Sequence, residues 1–340
     1  MDEVITVGLD LAKSVFQAHG ADASGEVVFR KKLRRDEVAP FFSKQQRCLV
    51  AMEACGSAHH WAREIGALGH QVRLIPPAYV KPFVKRQKND AADAEAICEA
   101  AQRPTMWFVA PKSAEAQAAG VIFRTRDLLV RQRTQLINAL RGHLAEFGHV
   151  VAKGPAHVAR LVELVRDPSS GLPEEARSVL LVAAESLEAL KAQITVLDRQ
   201  IEARAKASAL ARRLMTIPGV GPVVATALVA LTPAPSSFRR GRDLAAWVGL
   251  TPRQHSSGGK ERLGRTTKMG ERSLRRLLIL GASSVVKAAA RSGARDPWLA
   301  RMLARKPRKL VTVALANKTA RIVWALMARG GSYRAPIATA

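Results

Sequence analysis

The order of short apolar segments in the first 105 residues constrains the fold most strongly. Residues 4–10 have the pattern of a buried strand and end at Asp10. Two further strand-like segments follow at 13–20 and 26–33, separated by turn residues at 22–25. Short turns between consecutive strands predict an antiparallel meander of three strands.

Helical and strand patterns alternate after this meander. They are a helix capped by Asp36 and running to about Gln45, a strand over 48–53, a helix over 56–68, a strand over 72–75, and an Ala-rich helix entered through 88–94. Three strands, a helix, a strand, a helix, a strand and a final helix is the order of the ribonuclease H fold. We therefore predict an α/β domain of this fold over residues 1–105.

Four acidic residues occupy special places in this predicted domain. Asp10 and Glu53 end the first and fourth strands, which are neighbours in the fold. Asp90 and Asp93 are three residues apart and share one face of a helix. Four converging carboxylates repel one another unless cations neutralise them, and hard oxygen ligands suit Mg²⁺ or Mn²⁺. We predict a metal site here, although each acid alone is equally compatible with a turn or a helix cap.

The charge of the chain predicts a polyanionic partner. Lys and Arg number 54 against 28 Asp and Glu, a formal net charge of +26. From Arg204 onward there are 27 basic and 4 acidic residues, so almost the whole excess lies in the carboxy-terminal part. Nucleic acid is the expected partner, bound mainly by that part.

The sequence also favours a cytoplasmic, nucleoid-associated protein. Cys48, Cys55 and Cys98 form no CxxC pair, which indicates a reducing compartment and no zinc site. The first residues lack the positive segment of a signal peptide. We expect no membrane span.

The middle region, 106–205, is predicted to form a helical, coiled-coil-like arm. One helical pattern covers 121–147. A second carries a short heptad seam: Leu187, Leu190, Ile194, Leu197 and Ile201. The seam is compatible with packing on the arm's own domain or with dimerisation.

The last region, 206–340, is predicted to be a mainly helical, basic domain. Residues 217–222 read Ile-Pro-Gly-Val-Gly-Pro before an apolar helix, which resembles a helix-hairpin-helix turn that faces a phosphate. Residues 251–260 place His255, Ser256 and Ser257 before Gly258-Gly259-Lys260. This stretch is compatible with a polar surface loop or with a serine nucleophile for a phosphodiester. The expected nucleic-acid-binding residues are Arg253, Lys260, Arg262, Arg265, Lys268, Arg272, Arg275 and Arg276.

Several of these motifs together resemble a known family. The runs around Asp10 (Val-Gly-Leu-Asp-Leu-Ala-Lys), Glu53 (Met-Glu-Ala-Cys-Gly-Ser) and Asp90 (Lys-Asn-Asp-Ala-Ala-Asp-Ala) are similar to those of the DEDD transposases of the Piv/MooV type, insertion-sequence family one hundred and ten. The run from Ile217 to Arg276 resembles the second domain of the same family.

The resemblance implies a function and a site. The first domain would be RuvC-like, with Asp10, Glu53, Asp90 and Asp93 as its metal-binding tetrad. Ser257 would be the nucleophile, with Ser256 as the reserve choice and the role of His255 left open. The family implies target and donor DNA, a bridge-type guide RNA, and a homo-oligomer, a dimer that assembles to a tetramer, whose subunits compose one active site.

Three other interpretations remain open from the sequence alone. A RuvC-like Holliday-junction resolvase would use water as the nucleophile and leave Ser257 incidental. A non-catalytic nucleic-acid-binding protein would bind without cleaving. A sugar-kinase or actin-like fold would use Gly8-Leu9-Asp10 at a phosphate site, but it gives the basic tail no role.

Overall fold

The computed structural model describes residues 3–85, 89–294 and 296–335. The chain divides into two compact units, Met1–Gln117 and Ala118–Ala340. The three-domain division predicted above, with limits near 105 and 205, stays a prediction.

The first unit contains a five-stranded mixed sheet. Its strands are β1 (Thr6–Asp10), β2 (Val15–Ala21), β3 (Val27–Arg34), β4 (Leu49–Glu53) and β5 (Gln71–Ile75). They lie in the order β3-β2-β1-β4-β5. The first three pair antiparallel, whereas β1 with β4 and β4 with β5 pair parallel. A mixed sheet with these helices is compatible with a ribonuclease H-like transposase domain.

Among the described residues of this unit, the α-helices beside the sheet are α1 (Val38–Lys44), α2 (Ala58–Ala67), α3 (Pro77–Val80) and α4 (Asp90–Ala101). The predicted cap of α1 at Asp36 is wrong. The N-cap is Glu37, and its carboxylate instead accepts a hydrogen bond from the backbone N–H of Arg34 at 2.7 Å. Two prolines follow β5, and the second, Pro77, opens the short α3, because proline is tolerated in the first helical turn.

Helix α4 lies directly on the sheet because β1 carries a glycine at the crossing. A Cβ on Gly8 would come within 2.2 Å of the Ala94 carbonyl oxygen and 2.5 Å of the Cys98 nitrogen. Only a residue without a side chain permits this approach. The first turn of α4 is thereby placed beside the end of β1.

The described residues of the second unit form helices and a two-stranded hairpin. Its first helices are α5 (Ala114–Glu146, which begins within the first unit), α6 (Val158–Arg166) and α7 (Glu174–Ala207). Leu187 of the predicted seam packs with Leu140 and Leu161, and Ile201 lies in the main core of the unit. These seam residues are therefore occupied by contacts within their own chain.

The remaining elements form the basic part of this unit. They are α8 (Ala209–Leu214), α9 (Pro222–Leu231), α10 (Gly241–Trp247), β6 (Pro252–Gln254), β7 (Leu263–Thr266), α11 (Arg272–Ser292), α12 (Pro297–Arg305) and α13 (Arg308–Arg329). The predicted Ile-Pro-Gly-Val-Gly-Pro turn joins α8 to α9. Its DNA-binding role stays a prediction.

Helix α13 has the length and apolar composition of a membrane span, and the bent pair α11–α12 passes the same test if taken as one segment. The expectation of no membrane span therefore stays a prediction. Val311, Ala316, Ala320 and Val323 of α13 are fully buried against neighbouring helices. Such a helix is equally typical of the core of a protein without membrane spans.

Candidate functional site

The structure brings three of the four predicted acids together. Oxygen atoms of Asp10, Asp90 and Asp93 lie within 4.8 Å of one another. Asp10 ends β1, while Asp90 and Asp93 occupy the first turn of α4. Glu53 ends the neighbouring parallel strand but stands outside this group of oxygen atoms. These three residues, Asp10, Asp90 and Asp93, are called the cluster.

Electrostatics in the cluster favour a bound cation. Burial, followed by the charges of Asp93, Asp90 and Glu53, raises the pKa of Asp10 from its ordinary value of 3.8 to about 6. The backbone N–H of Leu11 opposes this rise by donating to the carboxylate. A divalent ion would neutralise the repulsion, and grouped carboxylate oxygens are the ligands that Mg²⁺ and Mn²⁺ prefer. The residues therefore fit a divalent metal.

Asn89 fixes the first turn of α4, which carries two of the acids. Its side-chain oxygen accepts a hydrogen bond from the backbone N–H of Ala92 at 2.8 Å. The positive end of the helix dipole also favours carboxylates in this turn. Asn89 was not among the predicted site residues, although an asparagine directly before a helix is a recognised capping signal.

The predicted serine stretch forms the tip of a β-hairpin, not an irregular loop. Strands β6 and β7 pair antiparallel, and the backbone N–H of Lys260 donates to the carbonyl of Ser257 at 3.1 Å. Gly258 and Gly259 have φ values of 56° and 75°. Positive φ at both central residues is the signature of a type I′ turn, which requires glycine or asparagine.

The two adjacent serines at this tip differ in their contacts. The Ser256 hydroxyl accepts hydrogen bonds from the Gln254 side-chain amide and the Arg262 backbone N–H, both at 3.1 Å. The Ser257 hydroxyl is exposed and has no hydrogen-bond partner within the described ranges. The Ser256 hydroxyl is therefore engaged within the hairpin, whereas the Ser257 hydroxyl is exposed at its tip.

His255 and the base of the hairpin are fixed by backbone contacts. The His255 N–H donates to the Arg262 carbonyl at 2.8 Å. A Cβ on Gly270 would come within 1.7 Å of the Trp247 carbonyl oxygen, so the chain after β7 lies against the end of α10. The exposed serine tip thus projects from a base packed on the core.

The predicted nucleic-acid-binding residues divide into two groups. Six are exposed: Arg253, Lys260, Arg262, Arg265, Lys268 and Arg272. Arg275 is half-buried and donates to the carbonyls of Val248 and Met269 at 3.0 and 2.8 Å, and burial lowers its pKa. The Arg275 guanidinium, one of the expected nucleic-acid-binding groups, is therefore already engaged within the protein. Arg276 is partly exposed and pairs with Asp127.

Two family profiles match separate parts of the chain. A family profile described as "Transposase IS116/IS110/IS902 family" matches residues 211–297. A profile for DEDD transposases of the IS110 type, described as "Transposase", matches residues 7–149. The "Probable family 20 transposase" of Pseudomonas aeruginosa is 50% identical, over 96% of this chain and 98% of that relative. The chain belongs to this transposase family.

Two named insertion-sequence transposases are also similar to it. The transposase for insertion sequence element IS1328 of Yersinia enterocolitica is 38% identical over 97% of this chain and 98% of its own length. The transposase for insertion sequence element IS1111A of Coxiella burnetii is 38% identical over 98% of this chain and 92% of its own length. The protein is therefore an IS110-family DNA transposase, an enzyme that acts on DNA. Membership of the DEDD family implies dependence on a divalent metal.

Proposed function

We propose that this transposase cuts and rejoins DNA through a covalent phosphoserine link, with Mg²⁺ held by Asp10, Glu53, Asp90 and Asp93. The observation that supports it is the cluster, whose carboxylates stand close enough to share a cation. When bound, the ion supplies charge stabilisation at the oxygens of the phosphodiester. A transposase acting on DNA is expected in the cytoplasm.

Ser257 performs the substitution in this proposal. Its Oγ forms a bond to the scissile phosphorus, and the ester bond from that phosphorus to one deoxyribose oxygen breaks. The serine proton is lost and the leaving deoxyribose oxygen gains one. Attack by a deoxyribose hydroxyl on the phosphoserine reverses these changes, so rejoining needs no ATP. The exposed arginines and lysines of the hairpin hold the phosphates on either side.

The choice of Ser257 over Ser256 rests on their contacts. The Ser256 hydroxyl already accepts two hydrogen bonds that close the hairpin. A serine hydroxyl ionises poorly at neutral pH, so Ser257 requires activation. His255 is two residues away on the same hairpin, and its role as a base stays open.

The test is a denaturing gel of end-labelled DNA carrying the element's ends, run with and without protease digestion. Wild type and Ser256→Ala should leave protein attached to the DNA, whereas Ser257→Ala should leave none. An adduct that persists in Ser257→Ala would move the nucleophile elsewhere, first to Ser256. Free DNA ends from wild type would make water the nucleophile, as in a resolvase.

We also propose guidance by a bridge-type RNA and assembly from a dimer to a tetramer. Both come from the family resemblance. Three exposed valines on one face of α7, Val179, Val182 and Val196, support a contact between copies in the middle region. Ribonuclease treatment of protein purified from cells carrying the element should abolish cleavage, and its RNA should restore it. Sedimentation should give a mass above one chain, and Val182→Lys should lower it.

A further inference from the structure

Strand β3 carries four basic side chains at an edge of the sheet. It is the outermost strand, next to β2, and contains Arg30, Lys31, Lys32 and Arg34. Charged residues on an edge strand discourage pairing with other chains. That general role does not distinguish one of the four from another, but their contacts do.

Three of these cations are engaged within the protein. Arg30 pairs with Glu95 of α4 at 3.6 Å, and Arg34 pairs with Glu37 at 3.4 Å. The Lys31 ammonium lies 5.1 Å from the centre of the Phe41 ring. Lys32 is exposed, and within 3–85, 89–294 and 296–335 it forms no ion pair, side-chain hydrogen bond or ring contact.

The strand register places Lys32 in line with the cluster. Asp10 of β1 stands opposite Gln17 of β2, and Gln17 stands opposite Lys32 of β3. Side chains at paired positions point to the same face of a sheet. Two strand spacings of about 4.8 Å separate the Lys32 and Asp10 backbones by about 10 Å.

The adjacent row of paired residues shows on which face of the sheet Gln17 and Lys32 lie. Gly8, His19 and Arg30 are paired in the same way, one row along the strands. Gly8 touches α4, and Arg30 reaches Glu95 of α4. Residues two apart share a face, so Gln17 and Lys32 point to the side of the sheet on which α4 lies. That side also holds Asp90 and Asp93.

We propose that Gln17 and Lys32 form a subsite for the sugar–phosphate backbone of the DNA strand held at the cluster. The strand would cross β2 toward β3, with a phosphate beside the scissile one bound by the Lys32 ammonium and the Gln17 amide. A group of acids repels a polyanion, so a cation close by, without an internal partner, favours its approach. The contact is to phosphate, so it positions the strand and reads no sequence. This inference rests on the proposed role of the cluster in cleavage.

The test compares Lys32→Ala with Lys31→Ala in the full chain. Both remove one charge from the same strand, but Lys31 points to the opposite face. The protein is purified from cells carrying the element, so that accompanying RNA is retained, and duplexes of the element's ends are cleaved at several salt concentrations. Lys32→Ala should raise KM about tenfold with kcat little changed and lower the salt slope by about one. Lys32→Arg should restore both, and Lys31→Ala should match wild type.

Two results would overturn the subsite, and they separate it from the proposed function. If Asp10→Asn abolishes cleavage while Lys32→Ala behaves as Lys31→Ala does, the cluster keeps its role and the subsite is wrong. If Asp10→Asn cleaves as wild type does, the cluster is not the centre of cleavage and both proposals are wrong. Equal unfolding temperatures for the two lysine variants would show that any difference in KM is not a loss of fold.

Discussion

Asp10→Asn should stabilise the metal-free protein at neutral pH while abolishing cleavage. The folded protein holds the pKa of Asp10 at about 6, against an ordinary value of 3.8. Each pKa unit is worth 1.36 kcal/mol, but water screens a partly exposed carboxylate, so keeping Asp10 ionised costs the first unit on the order of 1–2 kcal/mol. Asparagine has nearly the same shape and no charge, so it removes most of that cost.

The direction in which stability changes with pH follows from the raised pKa of Asp10. The stability contributed by protonated Asp10 is fully present below pH 3.8 and is lost as the pH rises through about 6. The advantage of Asp10→Asn should therefore be greatest above pH 6 and shrink as the pH falls toward 3.8. Saturating Mg²⁺ should reverse the order, because wild type alone keeps its full set of ligands.

Amide hydrogen exchange of β1 and β4 measures the opening free energy of the first unit alone. It should be run on both proteins with EDTA at pH 7.5 and pH 4.5, and again with Mg²⁺ at pH 7.5. Asp36→Asn is the matched control, because Asp36 is an exposed acid outside the cluster. Protection in Asp10→Asn equal to or below that of wild type at pH 7.5 in EDTA would refute the repulsion argument.

Three further outcomes follow from the described contacts. At limiting Mg²⁺, cleavage should decline as the pH falls below about 6, because protons then compete with the metal for Asp10. A Mg²⁺ titration at three pH values should show the half-saturating Mg²⁺ concentration rising as the pH falls. A half-saturating concentration that stays constant would contradict this. Gly8→Ala should lower cleavage at least tenfold and stability by about 2 kcal/mol, since its Cβ would push α4 from β1. Cleavage assays and unfolding measurements check this. Gly56→Ala is the control, because a Cβ on Gly56 would meet no atom within 4 Å. Gly270→Ala should destabilise the second unit by more than 1 kcal/mol, because its φ is 69° and the Trp247 carbonyl occupies the space of a Cβ; an unchanged unfolding temperature would refute it.

The elements of the first unit could be predicted because each has one dominant pattern. The strand ending at Asp10 is an apolar run between polar residues, and the structure has β1 there. The cap at Asp36 was wrong because local patterns do not decide between adjacent acids, and the helix begins one residue later, with Glu37 as its N-cap. Short helices such as α3 lack the length that gives a periodic signal.

The serine hairpin was harder to predict from the sequence than the group of acids. The convergence of Asp10, Asp90 and Asp93 follows from strand ends and helix spacing. The hairpin was missed because all three residues of β6 are exposed, so no alternation of apolar and polar residues marks it. The inward contacts of Arg275 depend on carbonyls of Val248 and Met269, whose positions are set by tertiary packing.

The two edges of the sheet are protected by different means, and this matters for where the chain can be cut. Beyond β5, the backbone N–H of Val109 donates to the Leu74 carbonyl at 2.7 Å, and the Arg63 guanidinium donates to the Lys112 carbonyl at 2.6 Å. A fragment ending at residue 105 would lose both contacts and leave β5 as an open template for strand addition between molecules. A fragment ending after Gln117 keeps that edge covered, and should remain monodisperse at concentrations where the shorter fragment aggregates.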